Sequence, residues 1–510
     1  MDREISRRMR WDIPWTRLVW LAVLSMSHAS PASTSYVIDL AEKHQVIDHF
    51  GANDAWSFQK IGAWSEPNKN RVADLLYTTD KGIGLSFCRF YVGAGINRKT
   101  IKDEWRTADT FEVSEGTYDW NRLANERWFL RAAKARGVNQ FGMTIYSPPM
   151  RLTRNGLTNH GADKTSSTNL KPGGEDSFAT YLADILAHFR DHPVESERIE
   201  FDRIFPLNEP KWDWQANQEG NRASNADTRR IHLALQEKLR QKNLRTLIGG
   251  PESGSIPGMY ELNKEAGAKW KADYGDYLRF FADDPQLVRG LGGVMTYHSY
   301  WSDRIPDQLV PHREALGKAL AKRPGWKLWQ SEYCVMEWGR DLTMDTALRV
   351  ARVIHCDMTL ANASAWQWWL AVANENYKSG LIYTDYKNPG DPENIIESKI
   401  LWALGNYSRF IRPGMMRVGV RGGTQDVHGL MASAYLDQPN KRVVVVLVNM
   451  ATKPQTARLA LARGARIAAS SLLVVPHTTS VEQNLAPGPA TDAAKGIEIP
   501  ARSVVTLVSK

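Results

Sequence analysis

The chain has 510 residues, 43% of them hydrophobic and 24% charged, with 37 Gly and 24 Pro, proportions that exclude collagen-like, low-complexity and globally disordered chains and allow a large core in two domains. Three cysteines, Cys88, Cys334 and Cys356, with no CxxC pair, exclude a disulfide framework, a cysteine zinc site and a redox dithiol; at most one bridge is possible. The net charge of +9 is spread over interspersed acids and bases with no Lys/Arg block, which argues against a nucleic-acid surface.

In chain order, Arg3, Arg7, Arg8, Arg10 and Arg17 precede the apolar run Leu18–Leu24, and small residues follow around Ser27 to Ser30. This is the pattern of a signal peptide over residues 1–29, so a secreted or periplasmic mature chain is expected. An uncleaved anchor is the alternative. No later segment reaches the 18 or so apolar residues of a membrane span, so stable membrane insertion is not expected.

From residue 46 to 411 strand-like and helix-like segments alternate. The strand-like runs are Val46–Asn53, Gly84–Tyr91, Val138–Ser147, Arg203–Glu209, Thr246–Glu252, Gly292–Ser299, Lys327–Glu332 and Ser364–Ala371. Amphipathic stretches lie between them, clearest at Phe178–Phe189 and Asp227–Lys242, where apolar residues recur at helical spacing. Eight such units predict an α/β fold of the (β/α)8 TIM-barrel type, decorated by long loops. A doubly wound open sheet is the alternative, weakened because no Gly-rich dinucleotide fingerprint follows the first strand. After Pro413 the pattern changes to short β-type segments, Leu430–Leu436, Arg442–Asn449, Gln455–Leu461, Ser470–Pro476 and Ile497–Val508, with a loop over Asn484–Lys495. Residues 412–510 therefore read as an all-β antiparallel sandwich, completed by residues 36–45.

In such a barrel the reactive side chains project from the C-terminal ends of the strands. Two carboxylates stand there: Glu209, in Asn208-Glu209-Pro210 closing the fourth strand, and Glu332, after Ser331 closing the seventh. Facing strands bring both to one ligand. Paired carboxylates are what glycosidic cleavage needs, one to protonate the leaving oxygen and one to meet the oxocarbenium-like carbon. Asn208 can bind a sugar hydroxyl beside them. The 12 His show no HxH or HExxH pattern, so no metal is expected, and no cofactor is implied. The 19 Trp and 17 Tyr suit a sugar cleft as well as a core.

These strand ends resemble those of the retaining (β/α)8 glycoside hydrolases, and further stretches resemble glycoside hydrolase family 30. They are Ile47–Ala52, Gly82–Arg89, Ser147-Pro148-Pro149, Asn169–Pro172, His298–Trp301, Trp402–Ser408 and the closing Ile499–Leu507. Asn208–Trp214, Gln218-Glu219-Gly220 and Trp366–Trp369 look most like the endo-β-1,6-galactanase branch. The resemblance implies hydrolysis of β-1,6-galactan side chains, with Glu209 as acid/base and Glu332 as nucleophile. Other β-glycans of that family (β-1,6-glucan, glucuronoxylan, β-fucosides, glucosylceramide) are the alternatives, and a non-catalytic carbohydrate-binding protein is a third. By the same resemblance Asn208 binds the 2-hydroxyl, Tyr300 hydrogen-bonds the nucleophile, Arg89 orients the carboxylates, and His298 contacts the sugar or Glu209. Period-two alternation puts Gln367 and Trp369 on one face of the eighth strand and Trp366 and Trp368 on the other, and the resemblance implies Trp369 as the sugar platform. Asp54 and Trp56 are expected sugar contacts; Trp212, Trp214 and Glu219 are expected to shape outer subsites. Met150-Arg151-Leu152 stands where the family offers an aromatic platform, so Arg151 suggests a subsite for a carboxylate-bearing or decorated sugar. Lys211 also departs from the galactanase pattern.

Overall fold

The computed structural model describes residues 33–263, 272–423, 426–463 and 472–510. The expected signal peptide lies outside them. Among the described residues no helix is long and apolar enough to cross a membrane.

Eight strands form the barrel: β1 (His49–Asn53), β2 (Phe87–Tyr91), β3 (Gln140–Thr144), β4 (Arg203–Phe205), β5 (Leu247–Ile248, resumed as Pro251–Ser253), β6 (Val294–His298), β7 (Lys327–Glu332) and β8 (Ala365–Trp368). Neighbours pair in parallel all the way round, β8 returns to β1, and β5 closes the ring because its first piece pairs with β4 and its second with β6. Each strand is followed by a helix on the outside. The expected helix near 227–242 is Asn225–Gln241, started by a capping box in which Ser224 and Asp227 satisfy each other's backbone N–H groups. The expected helix near 178–189 is Glu175–Arg190.

The barrel floor is packed by Phe87, Phe205, Val294, Trp329 and Ala365. Gly142 is needed there: a Cβ on it would lie 2.5 Å from the Phe87 ring and 2.9 Å from the Phe205 ring. His49, stacked on Phe87 of this layer, bridges Gln140 and Gln367, and burial holds its imidazole neutral, with a pKa of about 3.

Several expected boundaries move. The fourth strand stops at Phe205 instead of Glu209. The eighth stops at Trp368; the following Leu370–Ala373 leaves the barrel and pairs with Gly380–Tyr383, which in turn pairs with Ile396–Glu397. The chain thus makes a small extra sheet where a helix was expected directly, because Leu370–Ala373 finds a partner strand in a loop.

The second sheet runs through ten strands drawn from Ser33–Val46 and from Met416–Ser509. It is antiparallel except where Ser33–Val46 lies parallel to Gln455–Leu461. The expected Ser470–Pro476 strand is Leu473–Thr479 within the described residues, and the expected loop over 484–495 holds two two-residue strands that pair with it. Strand Arg442–Asn449 explains how the two units join. Val443, Val445 and Leu447 face the sandwich core with Tyr36, Ile38 and Leu507. Val444, Val446 and Val448 face the barrel's outer core with Tyr407 and Leu404. Burial on both faces is why this strand reads as an unbroken Val/Leu run instead of alternating. Cys88, Cys334 and Cys356 are all buried and unpaired.

Candidate active site

The C-terminal rim of the barrel gathers the charged groups. Glu332 ends β7, His298 ends β6, Glu252 lies in the second piece of β5, and Arg89 lies in β2. Glu209 comes four residues past β4, with φ of +40°, a left-handed backbone uncommon outside glycine. Three hydrogen bonds hold that backbone: Glu209 N–H donates to the Glu252 carbonyl (3.0 Å), and the Glu209 carbonyl accepts from Trp212 N–H and the Trp214 indole (both 2.9 Å). Trp56, Trp214, Glu252 and Trp301 also have positive φ. Such left-handed non-glycine residues cost about 1–3 kcal/mol each, strain that functional sites commonly hold.

His298 is the centre of the arrangement. Its Nδ1 lies 3.0 Å from Glu209 and 3.6 Å from Glu332, and its Nε2 lies 3.3 Å from Glu252. Burial alone would strip its proton, but Glu332, Glu209 and Glu252 around it outweigh burial and lift its pKa to about 10, so the ring is charged at neutral pH. Burial pushes Glu252 the other way from the result: Arg89, at 2.5 Å, together with His298 overrides it and holds this carboxyl near 2. Glu332 accepts the Tyr300 hydroxyl at 2.9 Å. Burial and the nearby Glu209 charge raise Glu332 to about 7 against the pull of His298 and Arg89. One oxygen each of Glu209 and Glu332 lie within 4.8 Å of each other. Glu332 Oε2 and Asn208 Oδ1 are buried beside the cleft with no hydrogen-bond partner.

The cleft over these carboxylates has a volume of about 270 Å³. Asn208, Glu209, Tyr300, Glu332 and Trp369 border it, as the sequence pattern places them. Trp369 is braced edge-on by Trp56 at 5.6 Å, while Trp366 and Trp368 point into the core and donate to Asp357 and to the Ser379 carbonyl. Trp212 stacks on Trp301 at 5.2 Å to form one wall.

Four expectations change. Arg89 makes no hydrogen bond to Glu209 or Glu332; it is spent on Glu252, Thr144 and the Ser331 carbonyl, and acts on Glu332 only through its field. Asp54 and Trp56 do not border the cleft: Asp54 is 1% exposed and takes the Tyr91 N–H, and Trp56 acts through Trp369. Glu219 is fully buried and accepts from Tyr91, Ala94, Thr107 and Ala108, so it pins two loops together. Arg151 does not border the cleft, and Glu112 takes its guanidinium in a bidentate pair at 2.8 Å. Lys211 is buried, over the Tyr274 ring.

Sequence reading missed Glu252, although a carboxylate after a strand's Gly-Gly-Pro meets the strand-end rule that found Glu209 and Glu332. It also missed Arg106 and Glu375, an ion pair at 2.6 Å on the cleft wall, and the aromatic rim of Trp338 and Tyr377. Gly254 is a further omission: a Cβ there would sit 3.2 Å from the Glu209 carboxyl.

Comparison with known proteins fits this geometry. The model of O-glycosyl hydrolase family 30 matches residues 33–383. The chain belongs to glycoside hydrolase family 30. An endo-beta-1,6-galactanase from Hypocrea rufa is 25% identical over 489 residues, covering 90% of this chain and 89% of that protein. A solved structure, a conserved exported protein from Bacteroides fragilis, is 31% identical with a TM-score of 0.82, over 93% of this chain and 100% of that one. The catalytic domain of GH30 xylanase C from Talaromyces cellulolyticus is 20% identical with a TM-score of 0.67, over 93% and 100% of the two chains. Membership in family 30 makes the protein an O-glycosyl hydrolase, and the TIM barrel with an added β unit is the family architecture.

Proposed function

We propose that this family 30 hydrolase cleaves β-1,6-galactan side chains of the arabinogalactan type with retention of configuration. The separation of the two carboxylates carries the mechanistic half. One oxygen of Glu209 and one of Glu332 lie within 4.8 Å of each other, which supports the roughly 5–5.5 Å spacing of double displacement over the roughly 6.5–9.5 Å of an inverting pair. Glu332 attacks the anomeric carbon while Glu209 protonates the departing oxygen; Glu209 then takes a proton from the water that releases the sugar. Tyr300 donates to Glu332 and favours its anion. His298, charged and close to both carboxylates, offsets the negative charge whichever of them bears it, so the proton moves through the cycle without leaving a bare charge in a dry site. Asn208 Oδ1 is placed to meet the 2-hydroxyl.

The substrate half is supported by the Asn208–Trp214 and Trp366–Trp369 segments and by the galactanase relative. Export is part of the same reading, supported by the Arg-then-apolar pattern of residues 1–29 and by the exported relative. Residues 46–411 are the catalytic unit, and 412–510 with 36–45 brace it.

The test is product analysis on de-arabinosylated arabinogalactan, β-1,6-glucan, glucuronoxylan and β-1,4-galactan, with Glu332→Gln as control. Short β-1,6-galacto-oligosaccharides, formed only by the unmutated enzyme, are expected. Cleavage of another polymer with arabinogalactan untouched would overturn the substrate, and β-anomers lost to α in the first product would overturn retention.

A further inference from the structure

Trp338 is the most exposed large apolar side chain among the described residues, at 80%, and it borders the catalytic cleft. A solvated indole of this kind on a loose loop would mean little. This one is held in place. The backbone around Trp338 bridges that of Tyr377 in antiparallel fashion, with Gly339 N–H donating to the Asn376 carbonyl (3.0 Å) and Lys378 N–H to the Glu337 carbonyl (3.1 Å). The Glu337 carboxylate, one residue before, is clamped by Arg349 and by Lys378. Tyr377 packs perpendicular to the indole at 5.3 Å and 90°, and the indole stays largely open to solvent beside it. Met336, 42% exposed, extends the apolar strip toward the carboxylates. The space does not end at Trp338: Glu375, on the cleft wall, also borders a second groove of about 830 Å³ with Arg340, Asn374, Asn376 and Asp385 on its sides.

We propose that Trp338 is a sugar platform outside the cleavage site, stacking the C–H face of a further pyranose unit of the polymer held by Glu209 and Glu332. A fixed aromatic ring, continuous with the catalytic cleft and followed by an amide- and carboxylate-lined groove, fits a hexose chain that continues past the reacting residue: the indole takes the ring face and the groove takes hydroxyls. The enzyme then gains affinity from chain length, which suits cutting within chains. This inference deepens the galactan reading and rests on it for the identity of the sugar.

The test uses the full chain inactivated by Glu332→Gln, with and without Trp338→Ala, titrated calorimetrically with β-1,6-galacto-oligosaccharides of two to six units. The parent is expected to bind the hexamer at least ten-fold more tightly than the dimer. Trp338→Ala is expected to weaken the hexamer about ten-fold and to weaken shorter chains progressively less, flattening the length dependence, and Trp338→Phe should restore most of the loss. Equal losses at every length would make Trp338 a structural residue, and no loss at any length would remove it from the binding surface; either overturns the proposal. If the parent binds none of the series, the galactan reading fails instead. The same variants, titrated with oligomers of whichever panel polymer the enzyme cuts, then decide on Trp338 by the same criteria.

Discussion

Glu209, the proposed acid, is positioned by residues packed behind it, and two substitutions isolate that support. Gly254→Ala would press a methyl against the Glu209 carboxyl, at 3.2 Å, and shift it by a few tenths of an ångström. Misplaced by that much, a general acid loses about ten-fold in kcat/KM on natural glycosides, and less on aryl glycosides whose leaving groups need little protonation. Equal losses on the two would count against Glu209 as the acid. Glu252→Gln removes the charge that holds both Arg89 and His298, leaving Arg89 buried without its ion pair. We expect kcat to fall about a hundred-fold with KM little changed, and the basic limb of the pH profile to move down, because His298 loses one of the three carboxylates that keep it protonated. An unmoved basic limb would show that Glu252 only packs. Glu209 and Glu332 were legible in the sequence because strand ends are legible. Glu252 closes the expected run Thr246–Glu252 as plainly as the other two close theirs; it was passed over because no Asn or Ser-Glu signature marks it, and its role comes from Arg89 and His298, which only the folded barrel brings to it. Arg151 misled because its partner, Glu112, sits 39 residues upstream in a two-stranded hairpin, and nothing local in the sequence tells an engaged guanidinium from a free one.

At the scale of elements, the helix Ala124–Ala135 carries a buried acid toward the first barrel loop. Glu126 and Asp54 influence each other there; burial raises Asp54 to about 8 and Glu126 well above the usual carboxylate range. Folded-state values above the unfolded ones mean the stabilising, neutral forms are intact below about pH 4 and are lost as pH rises toward 8. The melting temperature should therefore decline between pH 5 and pH 9. Glu126→Gln, which cannot ionise, should raise melting by a few degrees at pH 9 and by less at pH 5, as read by differential scanning fluorimetry across that range. A parallel decline in both proteins would remove Glu126 as its source. The alternation of strands and helices was readable because each strand pairs with its neighbours and each helix shows one apolar stripe. The sheet at Leu370–Ala373 was not, because its partner is chosen by tertiary contact: a four-residue apolar run looks the same whether it extends β8 or starts another sheet.

Across the two units, one face of the sandwich packs into the barrel's outer core, and Asn406 is a polar tie between them. Its side-chain amide donates to the His477 carbonyl and to Thr506 Oγ1, both at 3.0 Å, and its backbone carbonyl accepts the Thr506 hydroxyl at 2.6 Å. Asn406→Ala leaves a buried carbonyl and hydroxyl short of partners and should cost about 1–3 kcal/mol. Thermal unfolding should remain a single transition at a lower temperature, because Val444, Val446 and Val448 still bind the two units. Two separated calorimetric peaks would show instead that the units melt independently. The sandwich was legible from its alternating short strands. Its docking was written only in the uninterrupted Val443–Val448 run, which states that both faces are covered without saying by what.

The pairing of Ser33–Val46 with Met416–Arg421 and Gln455–Leu461 sets an order of events during synthesis. The segment emerges from the ribosome before any barrel strand, yet its neighbours on both sides are made more than 350 residues later. The barrel strands can meet as they appear; the first strand must wait, its edges bare, until nearly the whole chain exists. Long-range closures of this kind are the slow, aggregation-exposed step of folding. A truncated or stalled chain would therefore expose the long strand Ser33–Val46, and the finished enzyme is stitched shut by joining its earliest strand to some of its last.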